Sequence, residues 1–179
     1  MNNINTSNWK KFKIGNLFDI HPTKAYKLTN SSLFEENGVN PVVVNSSFNN
    51  GIGGYTNYPI TENGNIITFS DTTTATAMFY QPKPFVGYSH IQGMYPIGKY
   101  KDNWNEKSLL FLLSVFRNTA INSNFDYVNK FTRESAKEMM IKLPADKKGN
   151  PDFSYMEEYM KNREIAVSTS LNKLQSALR

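Results

Sequence analysis

The sequence predicts an α+β protein: a β-rich body with packed helices, followed by a long C-terminal helix of coiled-coil type. Three observations carry this. The first half of the chain alternates short β-branched and aromatic runs with turns rich in Gly, Asn and Ser. Residues 103–121 then show apolar side chains over a wide helical arc. From Pro151 onward the pattern becomes helical and stays so, with Met160, Val167, Leu171, Leu174 and Leu178 recurring in heptad steps. The boundary falls at the polar turn, so residues 1–145 form the body and 146–179 the turn and arm.

Taken in order, Trp9-Lys10-Lys11-Phe12-Lys13-Ile14 alternates large apolar with basic residues and reads as a strand. Gly15 allows a turn before Leu17, Phe18 and Ile20, and residues 21–27 read as a basic loop. Pro41-Val42-Val43-Val44 is short and β-branched, a buried strand. The polar tract 45–55 comes next, where Asn50-Gly51 signals a tight turn and Gly53-Gly54 admits a close backbone. Residues 65–70 and 75–80 read as strands flanking the hydroxyl-rich loop Asp71-Thr72-Thr73-Thr74, and Phe85-Val86-Gly87 and His90-Ile91-Gln92 as shorter ones.

Asn103 with Glu106 marks the start of the internal helix, whose Leu109, Leu110, Leu112, Leu113 and Phe116 face the sheet. After the loop 126–131, Thr132 caps a short helix running to Met140, and Ile141-Lys142-Leu143 is a last strand. Leu143-Pro144 closes the body, because proline disfavours helix at the residue before it. Ser154 and Glu157 have capping-box spacing, with Asp152 a competing cap. The arm spans about 24–26 residues, or roughly 36–39 Å at 1.5 Å per residue. Glu164 interrupts its seam. The stripe either folds back on the body or meets a partner helix, and the reading adopted is dimerisation or docking through Met160, Val167, Leu171, Leu174 and Leu178.

With 179 residues, twelve Phe, ten Tyr and two Trp, the chain has enough apolar surface for a real core. A net charge of +5 permits nucleic-acid binding without requiring it. The absence of cysteine excludes disulfide scaffolds, thiolate metal sites and cysteine nucleophiles. No run of signal-peptide or membrane-span character occurs, so the chain reads as soluble and cytoplasmic, with no membrane partner.

Catalytic signatures are wanting. Asn150-Pro151-Asp152-Phe153 lacks the second proline of an amino-methyltransferase motif and has no glycine-rich cofactor loop. Pro151-Asp152 is succeeded by Glu158-Tyr159-Met160-Lys161, too wide a spacing for a metal-dependent nuclease and placed on a helix. His21 and His90 are too few for a metal cage. No catalytic residue, metal or cofactor is therefore expected, and a binding protein is.

The polar loops share Asn, Ser, Thr, Gln, Lys and Tyr, side chains suited to base edges and phosphates. The candidate DNA contacts are Lys24, Tyr26, Lys27, Ser46, Ser47, Asn49, Asn50, Gly51, Thr72, Thr73, Thr74, Ser89, His90, Gln92, Asn129, Lys130 and Arg133.

The order of segments resembles the specificity subunits of type I restriction–modification systems. The resemblance lies in the opening Trp9 through Phe18, in Asn49-Asn50-Gly51-Ile52, in Ile66 through Phe79-Tyr80-Gln81, and in Phe131-Thr132-Arg133 leading to Ile141-Lys142-Leu143-Pro144. It implies a target-recognition domain at 1–145 and a dimerisation or docking helix beyond. It further implies a non-catalytic subunit that binds double-stranded DNA and directs methyltransferase subunits, with or without a restriction subunit, to a bipartite site. Such subunits carry two recognition domains and this chain has one, so the expectation is a half-subunit working as a homodimer, or a fragment. The competing expectations are a metal-dependent nuclease or other hydrolase, and a module that binds something other than DNA.

Overall fold

The computed structural model describes residues 4–71, 77–123, 125 and 130–178. Its elements in chain order are β1 (Trp9–Lys13), β2 (Phe18–Pro22), α1 (Asn30–Leu33), β3 (Asn40–Val43), β4 (Ile52–Thr56), β5 (Ile66–Ser70), β6 (Met78–Gln81), β7 (Ile91–Pro96), α2 (Glu106–Ile121), α3 (Arg133–Glu138), β8 (Met140–Pro144) and α4 (Phe153–Ala177). The α+β class holds, with the long helix last.

The central sheet is antiparallel, ordered β2-β7-β5-β6. All of β5 is buried, as an inner strand covered on both faces requires. On one face Phe18, Ile20, Ile67, Phe69, Met78 and Met94 join Leu109, Leu112 and Phe116 of α2 in the main core. The other face carries Ile66 and Ile91, which pack with Val43 and Phe85. The β1–β8 ribbon closes the helix side and returns the chain beside its start, with Phe12 opposite Ile141.

Several elements depart from the sequence expectations. Residues 52–56, read as part of the polar tract, pair with β3 as β4. Phe85-Val86-Gly87 makes isolated bridges only, to Glu62, Val42 and Ala25. The 90–92 strand starts at Ile91 and extends to Pro96, while His21 and Pro22 belong to β2. The short α1 has no counterpart in the sequence expectations, and the strand expected at 75–80 begins at Met78, its first two residues lying outside the described set. α3 stops at Glu138 because Met139 turns extended and its carbonyl accepts from the Ile14 amide.

The cap of α2 is Asn105 rather than Asn103. Its side chain accepts from the amides of Lys107 and Ser108, and the Asn105 amide donates in return to the Ser108 hydroxyl. Asn105 also donates Nδ2 to Glu157 of α4 at 2.7 Å, so one side chain ties two helices together. Asn105→Ala is expected to lower stability by about 1–2 kcal/mol, read as the shift of the thermal midpoint. Thr132 caps α3 as expected. At α4 it is Asp152 that caps, accepting from Tyr155, and Ser154 sits exposed inside the first turn. The turn before it is built on Asp146, whose Oδ1 accepts from the Lys148 and Asn150 amides, with Gly149 at φ 83°. The Asn150 side chain, first among these donors, holds the Asp146 carboxyl below the usual carboxylate range.

The start of α4 belongs physically to the body. Met156 is fully buried in the main core, Phe153 packs on Trp104, and Tyr159 meets Phe111 edge-on at 5.5 Å. Met160 also packs against this core, which separates it from the rest of the expected seam. Glu164, the polar break in the seam, pairs with Lys107 of α2, and that contact raises the lysine's pKa. From Lys161 onward every described residue is exposed, including Val167 (58%), Leu171 (54%), Leu174 (62%) and Leu178 (88%). The helix outruns the domain that supports it.

Candidate nucleic-acid interface

Three separate segments come side by side on the face of the central sheet away from α2. Ala25 bridges Gly87 and Val86 bridges Val42, in both cases parallel, with Leu33, Val42 and Val86 buried between them. Parallel bridging fixes a common direction, so the residues downstream of each segment, Lys27, Ser89-His90 and Asn45, leave it the same way. The remainder of the loop 45–51 lies on β6, where Asn50 bonds Tyr80 and Gln81. The end of β5 reaches the Ser89-His90 turn, since the Asp71 amide donates to the His90 carbonyl and the Thr23 amide to the Ile91 carbonyl. On the helix side, Phe131 packs on Phe69 near the end of β5 and brings Lys130 towards that rim.

The loop 45–51 is held rigidly. The Ser46 hydroxyl accepts from the Phe48 amide, the Gly51 amide donates to the Phe48 carbonyl, and the Val44 amide donates to the Gly51 carbonyl. Asn49, Asn50 and Gly51 take consecutive left-handed conformations, φ 49°, 54° and 77°, which Asn and Gly tolerate best. Asn50 commits its amide to the Tyr80 carbonyl and to Gln81. Gln81 is buried and donates both to the Asn50 carbonyl and to the Thr68 hydroxyl. Gly51 is itself buried, and a side chain there would press on Phe79. Asn50 and Gly51 thus anchor the loop, while Ser47 and Asn49 stand exposed on it.

The other sequence candidates divide similarly. Lys24, Lys27, Ser89, His90 and Lys130 are exposed, and Ser46 and Arg133 are half-exposed. Gln92 is buried and donates to Asp71 at 2.7 Å, so it fixes Asp71 instead of facing outward. Asp71 in turn lies 3.5 Å from Nδ1 of His90, which sits at φ 64°. Tyr26 stacks obliquely on Tyr58 and donates to the Pro59 carbonyl, committing its hydroxyl. Arg133 pairs with the adjacent Glu134 at 2.9 Å. Thr72, Thr73, Thr74 and Asn129 lie outside the described residues.

One support has no signal in the sequence. Glu62, buried, accepts from the Lys24 amide and the Tyr95 hydroxyl, both at 2.6 Å. Burial, and then this bond, push the Tyr95 hydroxyl far above its ordinary pKa. Its ring stacks on His21 at 4.1 Å. Glu62 and Tyr95 are 33 residues apart, and no local pattern links them. The cluster holds the Lys24 segment in place.

Among the described residues no three or more His, Asp or Glu side chains gather as a metal cage, and no helix is long and apolar enough to cross a membrane. An edge of polar loops on a β-rich body and a projecting helix together define a binding domain with an arm. Residues 6–176 match the family model of the type I restriction modification DNA specificity domain, and the chain belongs to that family. It is 28% identical over 161 residues to the specificity subunit S.BcgI of a type II restriction enzyme from Heyndrickxia coagulans, covering 89% of this chain and 44% of that protein.

In solved structures the fold is similar to the S subunit of a type I restriction-modification system from M. genitalium. The TM-score there is 0.59 at 12% identity, over 96% of this chain and 44% of the other. The HsdS subunit of Thermoanaerobacter tengcongensis gives a TM-score of 0.57 at 13% identity, over 93% and 40%. The chain spans less than half the length of each of these relatives.

Proposed function

We propose that this chain is one target-recognition domain with its arm, reading double-stranded DNA for a type I-like methyltransferase complex in the cytoplasm. The observation that supports this is the match of residues 6–176 to the DNA specificity family, in a body whose loops carry exposed polar and basic side chains. Lys24, Lys27, Lys130 and Arg133 supply phosphate contacts, and Ser47, Asn49, Ser89 and His90 face the base edges. The chain is not itself an enzyme in this reading. Its relatives are named as specificity subunits, and the chemistry falls to methyltransferase subunits, with or without a nuclease.

The reading extends to a homodimer. Antiparallel pairing of two α4 helices over their common seam sets Val167 opposite Leu171 about a two-fold axis at Thr169, and Leu178 opposite Met160. There Leu178 meets an apolar groove of about 770 Å³ lined by Trp9, Phe111, Val115, Met140, Tyr159 and Met160. Lys11, Lys142 and Arg163 also line this groove. Two recognition domains so held would read inverted half-sites separated by a spacer.

The DNA contacts are tested by the Lys130→Ala, Arg133→Ala double variant. Its affinity for a selected duplex should fall, and the slope of log affinity against log salt should shrink by up to about 2 for each recognition domain bound, near 0.9 for each phosphate no longer neutralised. An unchanged slope would remove this loop from the interface.

A further inference from the structure

The loop 45–51 presents one side chain outside its polar set. Phe48 is 81% exposed, although a phenyl ring gains several kcal/mol by burial. Its backbone is held, since its amide is bonded to the Ser46 hydroxyl and its carbonyl accepts from the Gly51 amide. The next turn is pinned through Asn50 to Tyr80 and to the buried Gln81. An aromatic side chain with two rotatable bonds on a fixed backbone loses little conformational entropy on binding, which is how such side chains serve as anchors. Its exposed neighbours along the loop are Ser47 and Asn49, hydrogen-bonding groups suited to base edges. A protein-binding surface would be expected to surround such a ring with further apolar side chains.

We infer that Phe48 is a specificity-determining residue that packs on the C5 methyl of a thymine in the major groove. The methyl is the apolar feature that distinguishes thymine there, and a phenyl ring flanked by hydrogen-bonding side chains reads it without a polar partner. This rests on the DNA-recognition reading above.

The test uses the full chain and a duplex selected from a randomised pool, with each thymine replaced in turn by uracil. For the wild type, loss of the methyl should weaken binding about four-fold for each half-site altered, the worth of one buried methyl group. Phe48→Ala should bind the thymine duplex weaker by a similar factor and should not distinguish uracil at that position. Its melting temperature should equal the wild type's, because an exposed ring contributes little to the fold. A variant that keeps the wild-type thymine-to-uracil ratio overturns the assignment, as does a selected site with no methyl-sensitive position. Phe48→Ala that binds DNA normally but loses a methyltransferase subunit would reassign the ring to that partner and also overturn it. A wild type that enriches no sequence from the pool would sink the DNA reading itself, a failure separate from that of Phe48.

Discussion

Leu171→Asp combined with Leu174→Asp should convert a dimer of about twice 20.4 kDa into a monomer while leaving the body folded. Both side chains are exposed on the distal part of α4, so no packing within the chain is removed. In the antiparallel dimer the carboxylate at 171 would enter the apolar seam opposite Val167 without a partner, and the one at 174 would face the like charge of Glu164, together a cost of several kcal/mol. An isolated distal helix is marginal in water, so its helicity should fall as well. Light scattering with concentration varied reads the mass, and circular dichroism reads the helix. The register has its own check, because the native chain contains no cysteine. Val167→Cys with Leu171→Cys should yield a covalent dimer on oxidation. If the wild type is a monomer at every concentration, or the aspartate variant still dimerises, the arm is not the homodimer interface. It would then serve another chain.

Phe131→Ala should be the most damaging single truncation near the proposed interface. The ring is fully buried and packs on Phe69, Phe116 and Phe125 at centroid distances of 5.1, 6.0 and 5.1 Å. Removing it should cost about 3–5 kcal/mol through reduced burial and the cavity left behind. For a chain of this size that corresponds to a fall of roughly 6–20 °C in the melting midpoint. The same ring holds Lys130 near the end of β5, so DNA affinity should drop even where the variant remains folded. Phe131→Leu should restore most of the stability. A melting point within about 2 °C of the wild type for Phe131→Ala would mean that the loop is not anchored by this ring.

The readings that survived from sequence to structure are those set by interactions close along the chain. The β5 run, the Thr132 cap, the turn built around Gly149 and the helical run of α4 each depend on hydrogen bonds or periodicity within a few residues. The errors lie where a distant partner decides. Ile52–Thr56 looks too glycine-rich for a strand, yet β3 pairs with it, and its glycines admit Val44 and Phe34 in place of side chains. The sequence places the helix start at Asn103, yet Asn105 takes the cap, and Glu157 from α4 stands beside it. Gln92 has the composition of a base reader, but strand alternation and Asp71 turn it inward.

The sequence alone determined the class: a β-rich domain, a capped helical arm with an apolar stripe, and the order of motifs that resembles a specificity subunit. These are properties of period and order, which local sterics and hydrophobicity impose before the chain folds. Tertiary structure alone decided which segments run side by side, because the parallel bridges Ala25–Gly87 and Val42–Val86 join segments far apart in sequence. It also decided where the stripe on α4 ceases to be core. Met156 and Met160 meet the body and Leu171 does not, since the supporting domain ends while the helix, held by its own hydrogen bonds, continues.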